Sequence, residues 1–439
     1  MQPNHPFKFG IYVSILSIPF FGGNLNHQFP ILRPLNNRNF RLLLLGEIIF
    51  LLGNKVHFIV LAWLALQLTG SSLTLGFVLM TAAIPKALFM LFGGALSDRF
   101  SLRRLMLISN VARANIATGI AILVFNEAIE LWHLYIFVLL IGVADALFLP
   151  ALMTTIPSLL KKSELEPGNA LVRGAMPIGT LVGSAPAGLL ISSVGIAATF
   201  GIDALFFLLA VIVLWLMAEA ISYVSTSNDV VSRAAHRSKS FGVLGDIKDG
   251  LGYAWRRPAI RALFITISVI HLSFVGPFIV GLATLADSSF AGGATDLGII
   301  RSCFGGGALL GAIIAGSVVF KHRGLLLIII TAALGVSLML ISLVQDVIFA
   351  SLFAGLIGIG DGLINVISFT WLQKTISSHM LGRMMGLINS SALILAPISY
   401  VLTGAIAEIN PSLVFIVAGI PVLVITIYLI TIKDFRQLT

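Results

Sequence analysis

The chain has 439 residues, of which 58% are hydrophobic and only 10% are charged, and its formal net charge is +9. Its mean hydropathy is +1.04. Since about a quarter of the residues in soluble globular domains are charged, this composition excludes a soluble enzyme and predicts a protein surrounded mainly by lipid. A single cysteine, Cys303, excludes an internal disulfide framework. The sequence has no Cys and His residues at metal-ligand spacing, so we predict neither a metal nor another cofactor.

Residues 1–37 are predicted to form an N-terminal extension that is cytoplasmic or lies at the membrane interface. An apolar run at 7–21 superficially resembles the core of a signal peptide, but Pro19 interrupts it and no small-x-small cleavage site follows. We therefore place the first membrane helix after this extension.

Apolar runs long enough to cross about 30 Å of hydrocarbon recur twelve times along the chain. One long polar connection separates them into two groups of six, so 38–219 is predicted to be a first helical bundle, 220–258 a linker, and 259–439 a second bundle with a short tail. The predicted spans, numbered as helices 1 to 12, are 41–67, 72–96, 104–125, 131–156, 168–191, 195–219, 259–285, 293–319, 324–344, 347–373, 381–406 and 411–432.

Lys and Arg residues lie at both ends of the helical region and in every second connection between the predicted helices. The intervening connections contain neither residue and instead carry acidic side chains such as Glu130 and Asp346. Because cytoplasmic loops of membrane proteins are enriched in Lys and Arg, both termini and the 220–258 linker are predicted to face the cytoplasm. The same distribution accounts for the positive net charge without a nucleic-acid partner.

The two groups of helices repeat each other. The pair Leu75-Gly76 recurs 222 positions later as Leu297-Gly298, and Ile141-Gly142-x-x-Asp145 recurs 216 positions later as Ile357-Gly358-x-x-Asp361. Each match relates a helix to the one six further along the chain. This spacing predicts two parallel six-helix repeats, which is how the major facilitator fold is built.

The connection between helices 2 and 3 reads Gly94-Ala-Leu-Ser-Asp98-Arg99-Phe-Ser-Leu-Arg103-Arg104. It resembles the major facilitator signature G-x-x-x-D-R-x-x-R-R, with one extra residue before the paired arginines. Asp98 lies where helix 2 ends, and the arginines can pair with it or with carbonyl groups at helix C-termini. We predict that Gly94, Asp98, Arg99, Arg103 and Arg104 form a conformational latch. A loop that is merely positively charged is the alternative.

Further segments, including Gln-Leu-Thr-Gly-Ser at 67–71 and Gly-Leu-Gly-Tyr-Ala-Trp-Arg-Arg-Pro at 250–258, are similar to one branch of that superfamily. This is the drug:proton antiporter branch, which holds macrolide-efflux and siderophore-export proteins. The resemblance runs from about residue 38 to 432. It implies an all-α membrane protein with twelve transmembrane helices in two pseudo-symmetric six-helix bundles, located in the bacterial inner membrane. We expect a monomer.

In that fold, helices 1, 4, 7 and 10 line the cavity, and here each carries an ionisable residue near its midpoint, namely Lys55, Asp145, His271 and Asp361. A charge at the bilayer centre costs at least about 2.5–3.5 kcal/mol, so such residues are functional candidates. Because a carboxyl group removed from water binds a proton more readily, Asp145, Asp361 and Glu47 are candidates for proton coupling, and we predict that at least one of Asp145 and Asp361 has this role. Ion pairs that only hold helices together, for instance between Lys55 and one Asp, are the alternative.

Polar and aromatic residues of the same helices are predicted to line the substrate cavity. Glu47, Lys55 and Phe58 have spacings that place them on a shared face of helix 1, and a second line follows every fourth residue of helix 10. The complete set of cavity candidates is Lys55, Phe58, Phe148, His271, Phe274, Asn365 and Phe369.

The sequence thus predicts an exporter of amphipathic small molecules, such as drugs, macrolides or siderophores, driven by proton entry and embedded in membrane lipids. A facilitated or lipid-directed transporter, for example a lysophospholipid carrier, is the alternative, because Lys55 and His271 suit an anion or zwitterion better than a cation. A membrane-embedded enzyme is disfavoured, since no His-Glu-x-x-His, Ser-Lys or His-x4-Asp arrangement stands at a membrane face.

Overall fold

A computed structural model describes residues 30–97, 101–217, 251–318, 320–376 and 378–438. These residues form helices and their connections, without a strand in the described ranges. Ten helices in this part of the chain are long and apolar enough to cross a membrane. One of them, of 54 residues, breaks at Gly195 into two spans, and a further apolar helix runs over Ser72–Ser97. The prediction of an all-α fold with twelve membrane helices is therefore confirmed.

The membrane helices are named α1 to α12. Their bounds are Arg38–Thr69 (α1), Ser72–Ser97 (α2), Leu102–Phe125 (α3), Leu131–Leu159 (α4), 165–194 (α5), 196–215 (α6), Pro258–Ser289 (α7), Ala294–Ser317 (α8), Arg323–Ile341 (α9), Val347–Thr375 (α10), Ser378–Ile409 (α11) and Leu413–Thr431 (α12). Short helices at Pro30–Asn36 and Lys433–Arg436 flank the set. Of the predicted 220–258 linker, 220–250 lies outside the described residues.

Local sequence explains how several helices begin and end. Asn37 caps α1 by accepting hydrogen bonds from the backbone amides of Asn39 and Phe40, which satisfies donors that a helix start leaves free. The Asn37 side chain also donates to the carbonyl of Leu159 and so joins the start of α1 to the end of α4. Gly70 ends α1 with φ at +62°, a left-handed conformation that favours glycine.

Two helices depart from regular geometry. Between α5 and α6 the chain turns at a single residue, Gly195, whose φ of +84° and ψ of 172° are accessible essentially to glycine alone. Helix α7 contains a π-helical turn over Pro277–Gly281, and Pro277 at its start has no amide hydrogen to donate. The hydroxyl of Ser399 on α11 bonds both the amide of Gly276 and the carbonyl of Leu272, which ties this bend to the neighbouring helix.

The internal repeat predicted from sequence is visible in the packing. Gly142 of α4 lies against the backbone carbonyl of Ala82 in α2, and Gly358 of α10 lies against the carbonyl of Phe304 in α8. Ala82 and Phe304 are 222 positions apart, the same spacing that relates Leu75 to Leu297. The first half, α1–α6, and the second half, α7–α12, therefore use the same glycine-to-carbonyl contact at corresponding positions.

Candidate functional site

Asp145 of α4 lies between two cations. Its Oδ2 atom accepts a 3.0 Å hydrogen bond from Nζ of Lys86 on α2, and its Oδ1 atom accepts one from the guanidinium of Arg113 on α3. Asp145 and Arg113 are buried, whereas Lys86 is half-buried. The sequence analysis considered Lys55 as an ion-pair partner for one of the two aspartates, but for Asp145 the structure supplies Lys86 and Arg113 instead.

Arg113 is enclosed by aromatic rings inside the first half. Its guanidinium lies 4.4 Å from the ring centre of Phe50, and the rings of Phe148 and Phe207 are also near. Phe148, a predicted cavity residue, is only 4% exposed and stacks on Phe50 with the ring centres 4.4 Å apart. The ring of Phe148 therefore faces the interior of the first half rather than an open cavity.

Glu47 of α1 belongs to the same interior. It is buried, and its charge acts on Arg113, while its Oε2 atom has no hydrogen-bond partner among the described residues. Lys55, which the spacing placed on the same face of α1, instead packs against Gly183 of α5. The two residues are eight positions apart, which is about 80° more than two full turns at 3.6 residues per turn, and this offset is enough to direct them to different neighbours.

A second buried pair, between His57 and Asp203, was not predicted. The Nδ1 atom of His57 on α1 donates a 2.6 Å hydrogen bond to Oδ2 of Asp203 on α6, and the two side chains are 3% and 0% exposed. Their separation of 146 positions carries no periodic signal in the sequence. Only the packing of α1 against α6 reveals the pair.

Asp361 of α10, the counterpart of Asp145 in the repeat, has a different environment. Its Oδ1 atom accepts a 3.0 Å hydrogen bond from the amide of Asn365 one turn further along α10. Within the described residues, no Lys, Arg or His lies within ion-pair distance of Asp361. The position that corresponds to Lys86, 222 residues later, is Ala308, so the cation that pairs with Asp145 has no equivalent there.

The remaining cavity candidates are half-buried or exposed. Lys55 and His271 are half-buried, and Nδ1 of His271 donates to the carbonyl of Ile267 at 2.8 Å. Asn365 is exposed. Three aromatic candidates are partly buried against the core, namely Phe58, Phe274 and Phe369. No group of three or more His, Cys, Asp or Glu side chains converges anywhere in the described chain to form a metal site.

The structure describes part of the predicted latch. Gly94 lies in the last turn of α2, whereas Asp98 and Arg99 lie outside the described residues. The Nε atom of Arg103 donates a 3.2 Å hydrogen bond to the carbonyl of Leu214, and its Nη2 atom donates to the carbonyl of Trp215. Arg103 therefore caps the C-terminal end of α6, while Arg104 is exposed.

The two halves meet along two helix pairs, α5 with α8 and α2 with α11. We call the side that bears the α1–α2 turn the distal side, and the side where α1 begins the proximal side. On α5 and α8, Gly188 lies against the carbonyl of Ala294, and the amide of Ala185 donates a 2.8 Å hydrogen bond to Ser302. On α2 and α11, Gly76 lies against the carbonyl of Tyr400. Glycine thus lets the backbones of the two halves touch.

Polar contacts close the distal side. Gln67 at the end of α1 donates a 3.1 Å hydrogen bond to Asp287 of α7. Glu408 of α11 accepts hydrogen bonds from the hydroxyl of Ser71 and the amide of Leu73. These contacts join the first half to the second at the ends of α1, α2, α7 and α11.

Further toward the proximal side, a groove of about 540 Å³ separates α2 from α11. Apolar side chains of residues 80–88 and 393–402 line it, and several of them, such as Ile84 and Ile398, are exposed.

Comparisons with known proteins agree with this architecture. A sequence model of the family described as the Major Facilitator Superfamily matches residues 43–395. Among solved structures, the chain is similar to a POT family transporter in complex with a thioalcohol-conjugated peptide, with a TM-score of 0.70, 14% identity, and coverage of 90% of this chain and 96% of that one. At this identity the similarity concerns the fold alone.

Two curated relatives are efflux proteins. The chain is 25% identical over 401 residues to the multidrug efflux pump Tap of Mycolicibacterium fortuitum, and the aligned region covers 88% of this chain and 93% of Tap. It is 22% identical over 386 residues to the enterobactin exporter EntS of Salmonella typhi, and the aligned region covers 85% of each chain.

Proposed function

Because the chain belongs to the major facilitator superfamily, and is therefore a multi-pass membrane transporter rather than an enzyme, we propose that it exports amphipathic small molecules in exchange for protons. The substrate class rests on the two efflux relatives. We place the protein in the bacterial inner membrane with both termini in the cytoplasm, which makes the distal side extracellular.

Asp361 carries the proposal of proton coupling. A carboxylate without a nearby cation is costly in a membrane interior, and binding a proton removes that cost. Asp361 meets this condition among the described residues. Asp145 does not, because Lys86 and Arg113 already balance its charge. The charge of Arg113 also acts on Glu47, so among the candidates Asp145, Asp361 and Glu47 we assign the coupling role to Asp361.

The contacts between the halves support alternating access. Closed contacts at Gln67 and Glu408 are the features expected of a state closed to the outside. Rocking of the two halves about the midplane would break these distal contacts and open that side. The exposed side chain of Asn365, next to Asp361, would then lie at the site that changes sides.

Proton movement in inside-out vesicles tests this function. An acidic interior is imposed, and its loss is followed on adding ethidium, tetracycline or 8-anilinonaphthalene-1-sulfonate in turn. We expect at least one probe to release protons through the wild type and none to do so through Asp361→Asn. Asp346→Asn is the matched control, because Asp346 is an exposed carboxylate that caps the same helix. Wild-type exchange by Asp361→Asn would refute the assignment.

The groove between α2 and α11 favours one second candidate, a lipid-directed carrier. Its lining is apolar and its exposed side chains face the surroundings of the helices, as a path for an acyl chain requires. Transport of a fluorescent lysophospholipid at equal pH on both sides would support this candidate, whereas transport that needs the pH gradient would support the exporter.

A further inference from the structure

Three basic side chains from both halves approach one another beside α5. Lys55 of α1 packs with its Cβ 3.1 Å from the position that a Cβ on Gly183 would occupy. Arg301 of α8 precedes Ser302, which bonds the amide of Ala185 on the same helix α5. Lys55 and Arg301 therefore flank α5 at the same level, one from each half, and the charges of Lys86 and Arg301 both act on Lys55.

Their countercharges are unequally distributed. Lys86 shares Asp145 with Arg113. Across the described residues, no carboxylate lies within ion-pair distance of Lys55 or Arg301. The ionisable neighbour of Arg301 is Tyr400 of α11, whose phenol is neutral near pH 7. Both cations are half-buried rather than sealed, so they can reach a molecule between the halves.

The remaining buried charges do not supply the missing anion. Glu47, Asp203 and Asp145 interact with Arg113 inside the first half, and Asp203 is bonded to His57. Positive charge at Lys55 and Arg301 is thus left over in a region where uncompensated charge is unfavourable. A molecule that brings negative charge to this point relieves that cost when it binds.

An apolar surface lies next to the cations. Phe304 is three positions after Arg301, so both project from neighbouring parts of one face of α8. Its ring centre is 5.3 Å from that of Phe274 and 4.7 Å from that of Phe278, both on α7. Charged and aromatic groups side by side match a ligand with a polar head and an apolar body.

We propose that Lys55, Lys86 and Arg301 form a headgroup site, and that the molecules this protein moves carry an anionic group such as a carboxylate, a phosphate or a catecholate. This inference rests on the proposed transport function and names the class of its substrate. An exported small molecule and an anionic lipid offer the same chemistry to the site, so the test below separates them.

Binding of two matched amphiphiles tests the site without requiring transport or a pH gradient. Decanoate and decyltrimethylammonium have the same chain length and opposite charges. Each is titrated calorimetrically into the full-length protein in phosphatidylcholine nanodiscs at pH 7.5, and empty nanodiscs are subtracted. We expect decanoate to bind about tenfold more tightly or better, because the charges interact in a region of low dielectric. Equal affinities for the two probes would overturn the proposal.

Variants locate the binding. Lys55→Gln and Arg301→Gln should each weaken decanoate binding about tenfold, whereas Lys55→Arg and Arg301→Lys should retain it. Lys162→Gln, at an exposed position between α4 and α5, is the control. Undiminished binding by folded Lys55→Gln and Arg301→Gln proteins would refute the site. If a neutral variant fails to fold, the affinities of the wild type for decanoate and decyltrimethylammonium still test whether the site prefers an anion.

Nanodiscs that contain phosphatidylglycerol identify the natural source of the anion. If this lipid abolishes decanoate binding by the wild type, the site holds a lipid headgroup. If decanoate still binds, the site takes a soluble anion. If the protein binds decanoate but does not exchange protons, the anion site is supported and the coupling role of Asp361 is refuted. The two proposals can therefore fail separately.

Discussion

Lys86 donates a hydrogen bond of 3.0 Å to Asp145, and the repeat places Ala308 where a second lysine would have to stand to do the same for Asp361. The backbone contacts at the two positions are equivalent, since Gly142 and Gly358 touch corresponding carbonyls. The two repeats thus share the glycine-to-carbonyl contact, but only the first repeat has a lysine beside its aspartate. This difference is the basis for our proposal of a structural role for Asp145 and a proton-coupling role for Asp361.

The different environments of Asp145 and Asp361 should give their variants different stabilities. Asp145→Asn leaves the buried Arg113 without its carboxylate, and breaking a buried ion pair in this way typically costs about 3–5 kcal/mol. Asp361→Asn leaves no cation unpaired among the described residues and should cost clearly less. Thermal unfolding of the purified variants in one detergent measures the difference. Equal losses of stability would contradict the structural role of Asp145.

The latch can be tested through Arg103. Arg103→Gln removes the hydrogen bonds to the carbonyls of Leu214 and Trp215 and should slow transport while expression is kept. Arg104→Gln is the matched control, because the neighbouring Arg104 is exposed and carries the same positive charge. Dye efflux from cells that express equal amounts of each protein is the measurement. Equal rates for the two variants would reduce the motif to a topological signal.

Opening of the distal side should be necessary for transport. Gln67→Cys with Asp287→Cys, on a Cys303→Ser background, places thiols where the two side chains now share a 3.1 Å hydrogen bond. A short bifunctional thiol reagent should link them and stop transport, and the single-cysteine proteins should keep working after the same treatment. Continued transport by the linked protein would show that this contact need not open.

The turn at Gly195 should resist substitution. Gly195→Ala forces a side chain into a backbone conformation with φ of +84°, and such strain costs about 1–3 kcal/mol. Gly201→Ala, in the following helix with no atom within 4 Å of the added Cβ, should be neutral or slightly stabilising. The melting temperatures of the two purified variants measure this difference in stability. A Gly195→Ala protein as stable as the Gly201→Ala protein would be inconsistent with the turn.

Membrane orientation follows from the charge distribution and can be measured by labelling. Cysteines at Glu130, Asp346 and Asn410, all exposed on the distal side, should react with an impermeant thiol reagent added to intact cells. A cysteine at Lys162, exposed on the proximal side, should react only after the cells are opened. The reverse pattern would place both termini outside the cytoplasm.

The helices and the repeat could be predicted from the sequence because both are one-dimensional signals. Hydropathy marks each span, and a fixed offset of 222 or 216 positions marks the repeat. The bounds differed mainly at helix ends, where apolar runs stop before the backbone hydrogen bonding does. The first membrane helix, for example, extends over Arg38–Thr69, beyond the predicted 41–67.

The partners of the buried charges could not be predicted, because they depend on how each helix is tilted and rotated. Lys55, Lys86 and Arg113 all lie within apolar helices, and nothing in their spacing indicates which of them reaches Asp145. The pairing of His57 with Asp203 is equally invisible, since α1 and α6 meet only in three dimensions. Phe148 was assigned to the cavity from its helix alone, whereas its rotation places it against Phe50.

Gly195 also has a mechanical consequence. Because a single residue joins α5 to α6, we expect these two helices to move together as one hairpin. Helix α5 contacts α8 of the other half, and Arg103 binds the carbonyl of Leu214 at the C-terminal end of α6. We therefore expect a tilt that begins where the halves touch on the distal side to reach the start of α3 on the opposite side.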